Sequence, residues 1–314
     1  MTAFVRDADN IRLGVIGMTE GNGHPYSWSA ILNGYDRTRM TAECPFPGIP
    51  GYLNLQPPEA FGIAGARVTH VFCDARSDAE HVAALSHIPH IAETPEALIG
   101  AVDAVLIATD IGGEHVRRAR PFVEAGVPLF IDKPLCDTAA DLAQFQRWVA
   151  DGAAILSSSS TRYATEYAPF QAPNAPLGAW RFIAMPMAKK WETYGIHALE
   201  AVYSITGPGY VSVRNTGSLE RNVVHLKHGG GADVVIACGT GIVYGGAMTL
   251  CGASGNATVV TKDTFASFKA QLAAFIGYLR SGVRPYPFSH TEELMRLVIA
   301  GIESRMRGGS EVML

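Results

Sequence analysis

The segment Phe130-Ile131-Asp132-Lys133-Pro134-Leu135 sets a carboxyl and an ammonium side by side directly after an apolar run. Charges at the end of a buried strand cost free energy unless they line a cleft, and open α/β sheets bind ligands outside the C-terminal ends of their strands. Lys133 there can donate a hydrogen bond to a substrate hydroxyl and help its proton leave; a surface ion pair is the plainer alternative. A second segment, Gly17-Met18-Thr19-Glu20-Gly21-Asn22-Gly23-His24, follows the first apolar run. Glycines at such a turn let the backbone approach a pyrophosphate at a helix N-terminus. Against G-x-G-x-x-G, Gly17 takes the first place, while Thr19 and Asn22 stand at the second and third. Shifting the frame to Gly21-x-Gly23 puts Tyr26 at the third place. The turn reads equally as a Gly-rich bend with no phosphate, and Glu20 would repel one. Asp74, in Phe72-Cys73-Asp74-Ala75-Arg76, ends the next apolar run. It suits the adenosine ribose hydroxyls of a dinucleotide, or equally a cap on the next helix. Arg76 beside it suits a 2′-phosphate, so the cofactor expected is NAD or NADP.

Elements able to hold these residues alternate through the first half. Strands are predicted at Ile11–Gly17, Arg67–Cys73, Asp103–Thr109, Val127–Ile131 and Ala153–Leu156, from short, nearly continuous apolar runs of the kind a sheet covered on both faces requires. Helices are predicted at Ser27–Tyr35, Ser77–Leu85, Glu114–Ala125 and Thr138–Ala150. A shorter one opens at Thr94-Pro95-Glu96, with Thr as cap and Pro at the first helical position. This alternation is the βαβ signature of a parallel sheet. Residues 36–65, rich in Pro and Gly, fit no regular element, and the segment between Pro25 and Tyr52 either covers the cleft as a lid or decorates the surface. Residues 36–65 also explain why Asp74 lies far beyond the usual spacing of about 20 residues from the glycine turn. The second half offers strands at Trp180–Met187, Val211–Thr216, Val223–His228, Asp233–Cys238 and Ala247–Cys251, joined mostly by Gly-rich turns, which indicates an antiparallel sheet. Helical stretches accompany them at Tyr194–Ile205, Phe265–Ser281 and near Glu292–Arg305.

The chain has 314 residues, enough for two domains. The division is expected at 1–134 and 135–314, with the C-terminal helix packing back on the first. A net charge of −4 and the lack of any Lys/Arg-rich run argue against nucleic acid. No stretch approaches the roughly 20 apolar residues of a membrane span. Five cysteines without a CxxC pair give neither a disulfide framework nor a zinc site, and the cytoplasm is the expected compartment. His197 and Glu200 stand one helical turn apart, but His-x-x-Glu alone is weak, and no metal is expected. A serine hydrolase is excluded by the lack of a G-x-S-x-G elbow.

With these pieces in place, the sequence resembles the Gfo/Idh/MocA oxidoreductases, the family of glucose–fructose oxidoreductase and inositol dehydrogenase. Asp132-Lys133-Pro134 matches the family's E/D-K-P motif, and Asp103 through Thr109 with His115 matches a second segment. Gly195-Ile196-His197 matches the end of D-x-G-x-H, and Arg162-Tyr163 a strand-end pair. The resemblance implies a Rossmann domain and a C-terminal α/β domain whose large, mostly antiparallel open sheet joins a homodimer or homotetramer. It implies NAD(P)-dependent hydride transfer to or from a small polyhydroxylated substrate, a sugar or cyclitol. Lys133 and His197 would then flank the substrate hydroxyl, Thr193 would occupy the catalytic acidic place, and Arg162 and Tyr163 would help bind substrate. Gly17, Thr19, Gly21, Asn22, Asp74, Arg76, Thr109, His115 and Asp132 would line the cofactor. Thr193 cannot act as a base near neutral pH. With Thr19, Glu20 and Asn22 it leaves open a relative that kept the fold and lost the nicotinamide.

Overall fold

The computed structural model describes residues 3–171, 175–242, 244 and 246–314. Two compact units make up the chain. The first comprises residues 1–132, 143–157 and 268–288; the second comprises 133–142, 158–267 and 289–314.

In the first unit, six parallel strands form one sheet: β1 (Ile11–Gly17), β2 (Ala66–Cys73), β3 (His90–Ile91), β4 (Ala104–Ile107), β5 (Leu129–Ile131) and β6 (Ile155–Leu156), in the order β3-β2-β1-β4-β5-β6. The central strands are mostly apolar because both faces are covered; Leu13, Val15, Val105, Leu106, Ile107 and Phe130 have no exposed surface. The strand order reverses at β1, which pairs with β2 on one edge and β4 on the other. The turns after β1 and β4 therefore diverge and leave a crevice at their C-terminal ends. Helix α1 (His24–Asn33) starts at that crevice, with Pro25 in its first turn.

Residues 36–65 correct the expectation of irregular chain. They form α2 (Arg37–Glu43), α3 (Gly48–Leu53) and a single 3₁₀ turn at Pro58–Ala60. Asp36 caps α2 by accepting the Arg39 N–H, and Arg39 pairs with Glu43 one turn on. Gly48 and Pro58 stand at the first positions of α3 and the 3₁₀ turn, where neither interrupts a helical hydrogen bond. The segment is also anchored: Phe46 and Ile49 fill the space beside Gly23, and the Tyr52 hydroxyl bonds Ser27 of α1. Helices α4 (Arg76–Leu85), α5 (His115–Glu124) and α6 (Ala139–Ala150) appear where the apolar periodicity places them.

The second unit is built on a seven-stranded sheet. Its strands are β7 (Trp180–Ala188), β8 (Tyr210–Asn215), β9 (Arg221–His228), β10 (Asp233–Gly239), β11 (Met248–Gly252), β12 (Gly255–Val259) and β13 (Val312–Met313), ordered β12-β11-β7-β10-β9-β8-β13. All pairs are antiparallel except β7 with β10. The short edge strands β12 and β13 were not foreseen, because Gly-Asn-Ala-Thr-Val and Val-Met carry little pattern of their own. Alternation along β9 buries Asn222, Val224 and Leu226 and exposes Arg221, Val223 and Lys227, so one face is packed. Helices α7 (Ile196–Thr206), α8 (Thr264–Ser281) and α9 (Phe288–Met306) complete the chain.

Trp191, fully buried, lies against Gly301 of α9 and donates its indole N–H to the Val298 carbonyl at 2.9 Å. A Cβ on residue 301 would stand 2.5 Å from that nitrogen. In a free helix Gly→Ala gains up to about 1 kcal/mol; here overpacking of about 1–3 kcal/mol opposes it, and the clash with a fixed ring wins. Gly301→Ala is expected to lower the urea midpoint without changing the slope of the transition.

Candidate active site

In the first unit the turn after β1 is held by its own chain. Gly17 has no room for a side chain, since a Cβ would come within 2.3 Å of the Pro25 ring. Thr19 donates its hydroxyl to Asp110 at 2.8 Å, across the crevice from β1 to the turn after β4. Gly21 sits at φ 79°, a conformation glycine adopts without strain, and Glu20 and Gly21 are exposed. Asn22, buried, donates to the Ala108 carbonyl at 3.3 Å and to Asp132 at 2.9 Å, while its own oxygen accepts the His24 N–H at 3.0 Å. His24 Nδ1 stands 2.6 Å from the same oxygen of Asp132. Its ring stacks on Trp28 with centroids 4.9 Å apart. Asp132, with no exposed surface, thus meets two side chains of the turn.

Thr109 and His115 form a local clamp. His115 is fully buried and donates Nε2–H to the Thr109 carbonyl at 2.9 Å, with the Thr109 hydroxyl at 3.2 Å. It fastens the start of α5 to the end of β4. Asp74 lies at the end of β2, more than half exposed, in a bidentate pair with the buried Arg118 at 2.6 and 3.1 Å. Arg118 also bonds Glu114 at 2.8 Å. Arg76 is turned outward to Glu80 and Glu93.

A cleft of about 170 Å³ opens beside the ends of β1 and β2, lined by Ile16, Phe72, Asp74, Pro95, Arg118 and Pro121. Ile16, Phe72, Pro95 and Pro121 offer an apolar wall to a purine base, and Asp74, which shares the cleft with Glu96, Arg117 and Arg118, suits the ribose attached to it. The residues present therefore fit the adenosine half of a dinucleotide, with Asp74 able to accept from the ribose hydroxyls. The pyrophosphate would fall to backbone N–H groups near Gly21 and the start of α1.

In the second unit a cationic and aromatic cluster forms around Tyr194. The Lys133 ammonium is 5.2 Å from the Tyr194 ring centroid and that of Lys189 is 4.3 Å away. Lys189 also donates to the Tyr194 hydroxyl at 2.7 Å. Its backbone sits at φ 59°, uncommon for a residue with a Cβ. The His197 ring meets Tyr194 and Tyr244 edge to face, with centroids 4.9 and 5.4 Å apart. A single π-turn, Trp191–Gly195, leads into α7 and carries Thr193 and Tyr194, both half-buried. Such turns inside helices gather at functional sites. Gly195 has no space for a Cβ, which would lie 2.4 Å from the Trp191 ring.

Behind His197 lies a buried polar layer. Its Nδ1 is 2.7 Å from the Ser159 hydroxyl, and its carbonyl accepts the Thr161 hydroxyl at 2.7 Å. Glu200 accepts the Ser159 N–H at 3.2 Å and pairs with Arg162. Burial pushes the Glu200 carboxyl up, against the opposing pull of Arg162 and the Ser159 N–H. Both Glu200 oxygens thus serve Ser159 and Arg162, so His197 and Glu200 are not arranged as a metal pair. Arg162, whose guanidinium also lies 5.4 Å from the Tyr203 ring centroid, is engaged inside the unit; Tyr163, next to it, is half-buried in a 3₁₀ turn.

Lys133 and His197 are thus gathered at one place in the second unit, while the cofactor candidates surround the crevice of the first; Arg76 stands apart from both. Sequence reasoning missed His24, Asp110 and Arg118, and in the second unit Ser159, Thr161, Lys189 and Tyr244. His24 is the one with a local signal, standing at a helix start two residues beyond a misplaced asparagine.

Fold and turn together define a Rossmann-type nucleotide domain followed by an open-sheet α/β unit. Residues 11–159 match the model of the Gfo/Idh/MocA family, described as "Oxidoreductase family, NAD-binding Rossmann fold". A comparison with curated proteins finds no match. Solved structures similar to the chain include myo-inositol dehydrogenase from Lactobacillus casei in complex with NAD(H) and myo-inositol, at 13% identity over 97% of each chain and a TM-score of 0.75. Myo-inositol dehydrogenase from Corynebacterium glutamicum is 16% identical, over 97% of this chain and 99% of that one, with a TM-score of 0.73. The scyllo-inositol dehydrogenase of Lactobacillus casei, in its apo form, is 13% identical over 100% and 99%, with a TM-score of 0.71. At these identities the likeness is one of fold. Among the described residues, no helix is long and apolar enough to cross a membrane.

The Arg118 guanidinium holds the Asp74 carboxyl below the ordinary carboxylate range. A depressed carboxyl contributes stability above its unfolded pKa and loses it as pH falls through the folded one. Arg118→Gln is expected to raise the Asp74 pKa in a carbon-detected NMR titration. The stability gap between the two proteins should close on acidification below about pH 4.

Proposed function

We propose that the protein is an NAD-dependent dehydrogenase that oxidises a secondary hydroxyl of a cyclitol or sugar, or reduces the matching carbonyl. The observation that carries the reading is the gathering of Lys133, Tyr194 and His197 in one cluster, in a chain whose residues 11–159 match an NAD-binding oxidoreductase family. The inositol dehydrogenases of the same fold support a polyol substrate. The cleft beside Asp74 favours a nucleotide over a relative that has lost one.

When bound, the nicotinamide ring accepts or supplies the hydride. This chain's residues do the rest. Asp74 takes the adenosine ribose hydroxyls, and its charge disfavours a 2′-phosphate, so NAD is preferred over NADP. The Lys133 ammonium donates to the substrate oxygen and stabilises negative charge growing on it as the hydride departs. The face of Tyr194 steadies that ammonium. His197 takes the hydroxyl proton, which an imidazole can do near neutral pH. The open face of the seven-stranded sheet, with Phe182 and Val223 exposed, suits pairing with a second copy.

Two measurements test the reading. Calorimetry should give NAD(H) binding at least about 10-fold tighter than NADP(H), a gap of about 1.4 kcal/mol; no binding of either would refute it. In a panel of myo-inositol, scyllo-inositol and common aldoses, one member should reduce NAD. Lys133→Met should then cut kcat about 100-fold or more, with an unaltered melting curve. Unchanged turnover would remove Lys133 from the mechanism.

A further inference from the structure

In the polar layer behind His197 the hydroxyl protons of Ser159 and Thr161 can be placed. Ser159, Thr161 and His197 are all buried in the second unit. Thr161 Oγ1 is 2.7 Å from the His197 carbonyl oxygen. A carbonyl only accepts, so the Thr161 hydroxyl proton lies on that bond. Thr161 Oγ1 also stands 2.8 Å from Ser159 Oγ. Two oxygens at that distance need a proton between them, and the Thr161 proton is already engaged. The Ser159 hydroxyl therefore donates to Thr161. Ser159 Oγ is left with two lone pairs. One accepts the Thr161 N–H at 3.2 Å. The other faces His197 Nδ1 at 2.7 Å. The serine has no second proton to give, so the imidazole must donate, and Nδ1 carries the hydrogen.

We propose that Ser159 and Thr161 are positioning residues that lock neutral His197 in its Nδ1–H tautomer, so that Nε2 holds the lone pair that receives the substrate's hydroxyl proton. The proposal rests on the reading of His197 as the proton acceptor. As the substrate carbon gives its hydride and two electrons to the oxidised nicotinamide, the O–H bond breaks and its proton forms the Nε2–H bond. A carbonyl and an imidazolium remain. Nδ1 stays a donor to Ser159 in both protonation states, so the chain of hydroxyls need not turn over during the step. The opposite tautomer would present an Nε2–H to the substrate and could not accept.

Thr161→Val keeps the shape and removes the acceptor of the Ser159 proton, which is then free to swing onto Nδ1. The test uses the full-length protein with ¹⁵N-labelled histidine, His197→Asn serving to assign the resonances, at a pH where the ring is neutral. The wild type is expected to show a protonated Nδ1 and an unprotonated Nε2. Thr161→Val should shift His197 to the Nε2–H form and lower kcat at least about 10-fold, with KM changed little. Thr161→Ser should restore both. A wild-type ring protonated at Nε2, or a Thr161→Val ring unchanged in tautomer, overturns the proposal. The nitrogen spectrum needs no substrate. An Nδ1–H ring in a protein that turns over no polyol would uphold the lock and refute the dehydrogenase reading.

Discussion

A carboxyl with no exposed surface must find donors inside the protein, and Asp132 at the end of β5 is such a group. Leaving a buried charged group half-satisfied costs several kcal/mol. The chain answers with Asn22 and His24, both from the turn after β1. That demand explains why the turn departs from the glycine pattern. A glycine at 22 would suit a pyrophosphate but would bring no amide to Asp132 or to the Ala108 carbonyl. The same turn is tied to the end of β4 through Thr19 and Asp110. The irregular fingerprint is therefore the other side of a cross-braced crevice mouth, in which side chains do work that glycines leave to the backbone and the ligand.

What the sequence made legible follows from the range of each interaction. The parallel strands announce themselves through runs such as Ala104–Ile107 and Leu129–Ile131, since burial on both faces permits nothing but apolar side chains. Lys133 stood out because a charge directly after such a run is costly. Asp74 was found by its place at a strand end, although Arg118, which holds it, lies 44 residues away and left no trace beside it. The helices of residues 36–65 are not legible because Pro and Gly signal breaks to a local reading, while the contacts that hold the segment, at Ser27 and Gly23, are non-local. The link between Ser159 and His197 spans 38 residues, and a run of four serines looks like nothing more than a polar strand end until its partners are in view.

The two units divide the labour by chemistry. The first concentrates carboxyls and backbone amides around a crevice at a strand-order reversal, which suits recognition of a nucleotide's sugar and phosphate. The second concentrates ammonium groups, phenol rings and an imidazole around a π-turn. Tyr194 is central to that cluster: Lys133 and Lys189 lie over its ring and His197 packs against it. The Tyr194 ring lies near two ammonium groups and so gathers positive charge around it. That is the field a developing alkoxide needs.

The presence of Thr193 where an acid is expected fits the same logic. A carboxylate beside the imidazole would make it more basic and would also offset the lysines' charge. Here the partner of His197 Nδ1 is a neutral hydroxyl, itself fixed by a second hydroxyl and a backbone amide. Such a partner sets which nitrogen accepts without adding negative charge to the site. Glu200, a carboxyl in that layer, is pinned by Arg162 and the Ser159 N–H, so it braces the strand end rather than the ring. In the proposed dehydrogenase, acceptor strength on the imidazole comes from tautomer and orientation, and Lys133 supplies the electrostatic stabilisation of the substrate oxygen.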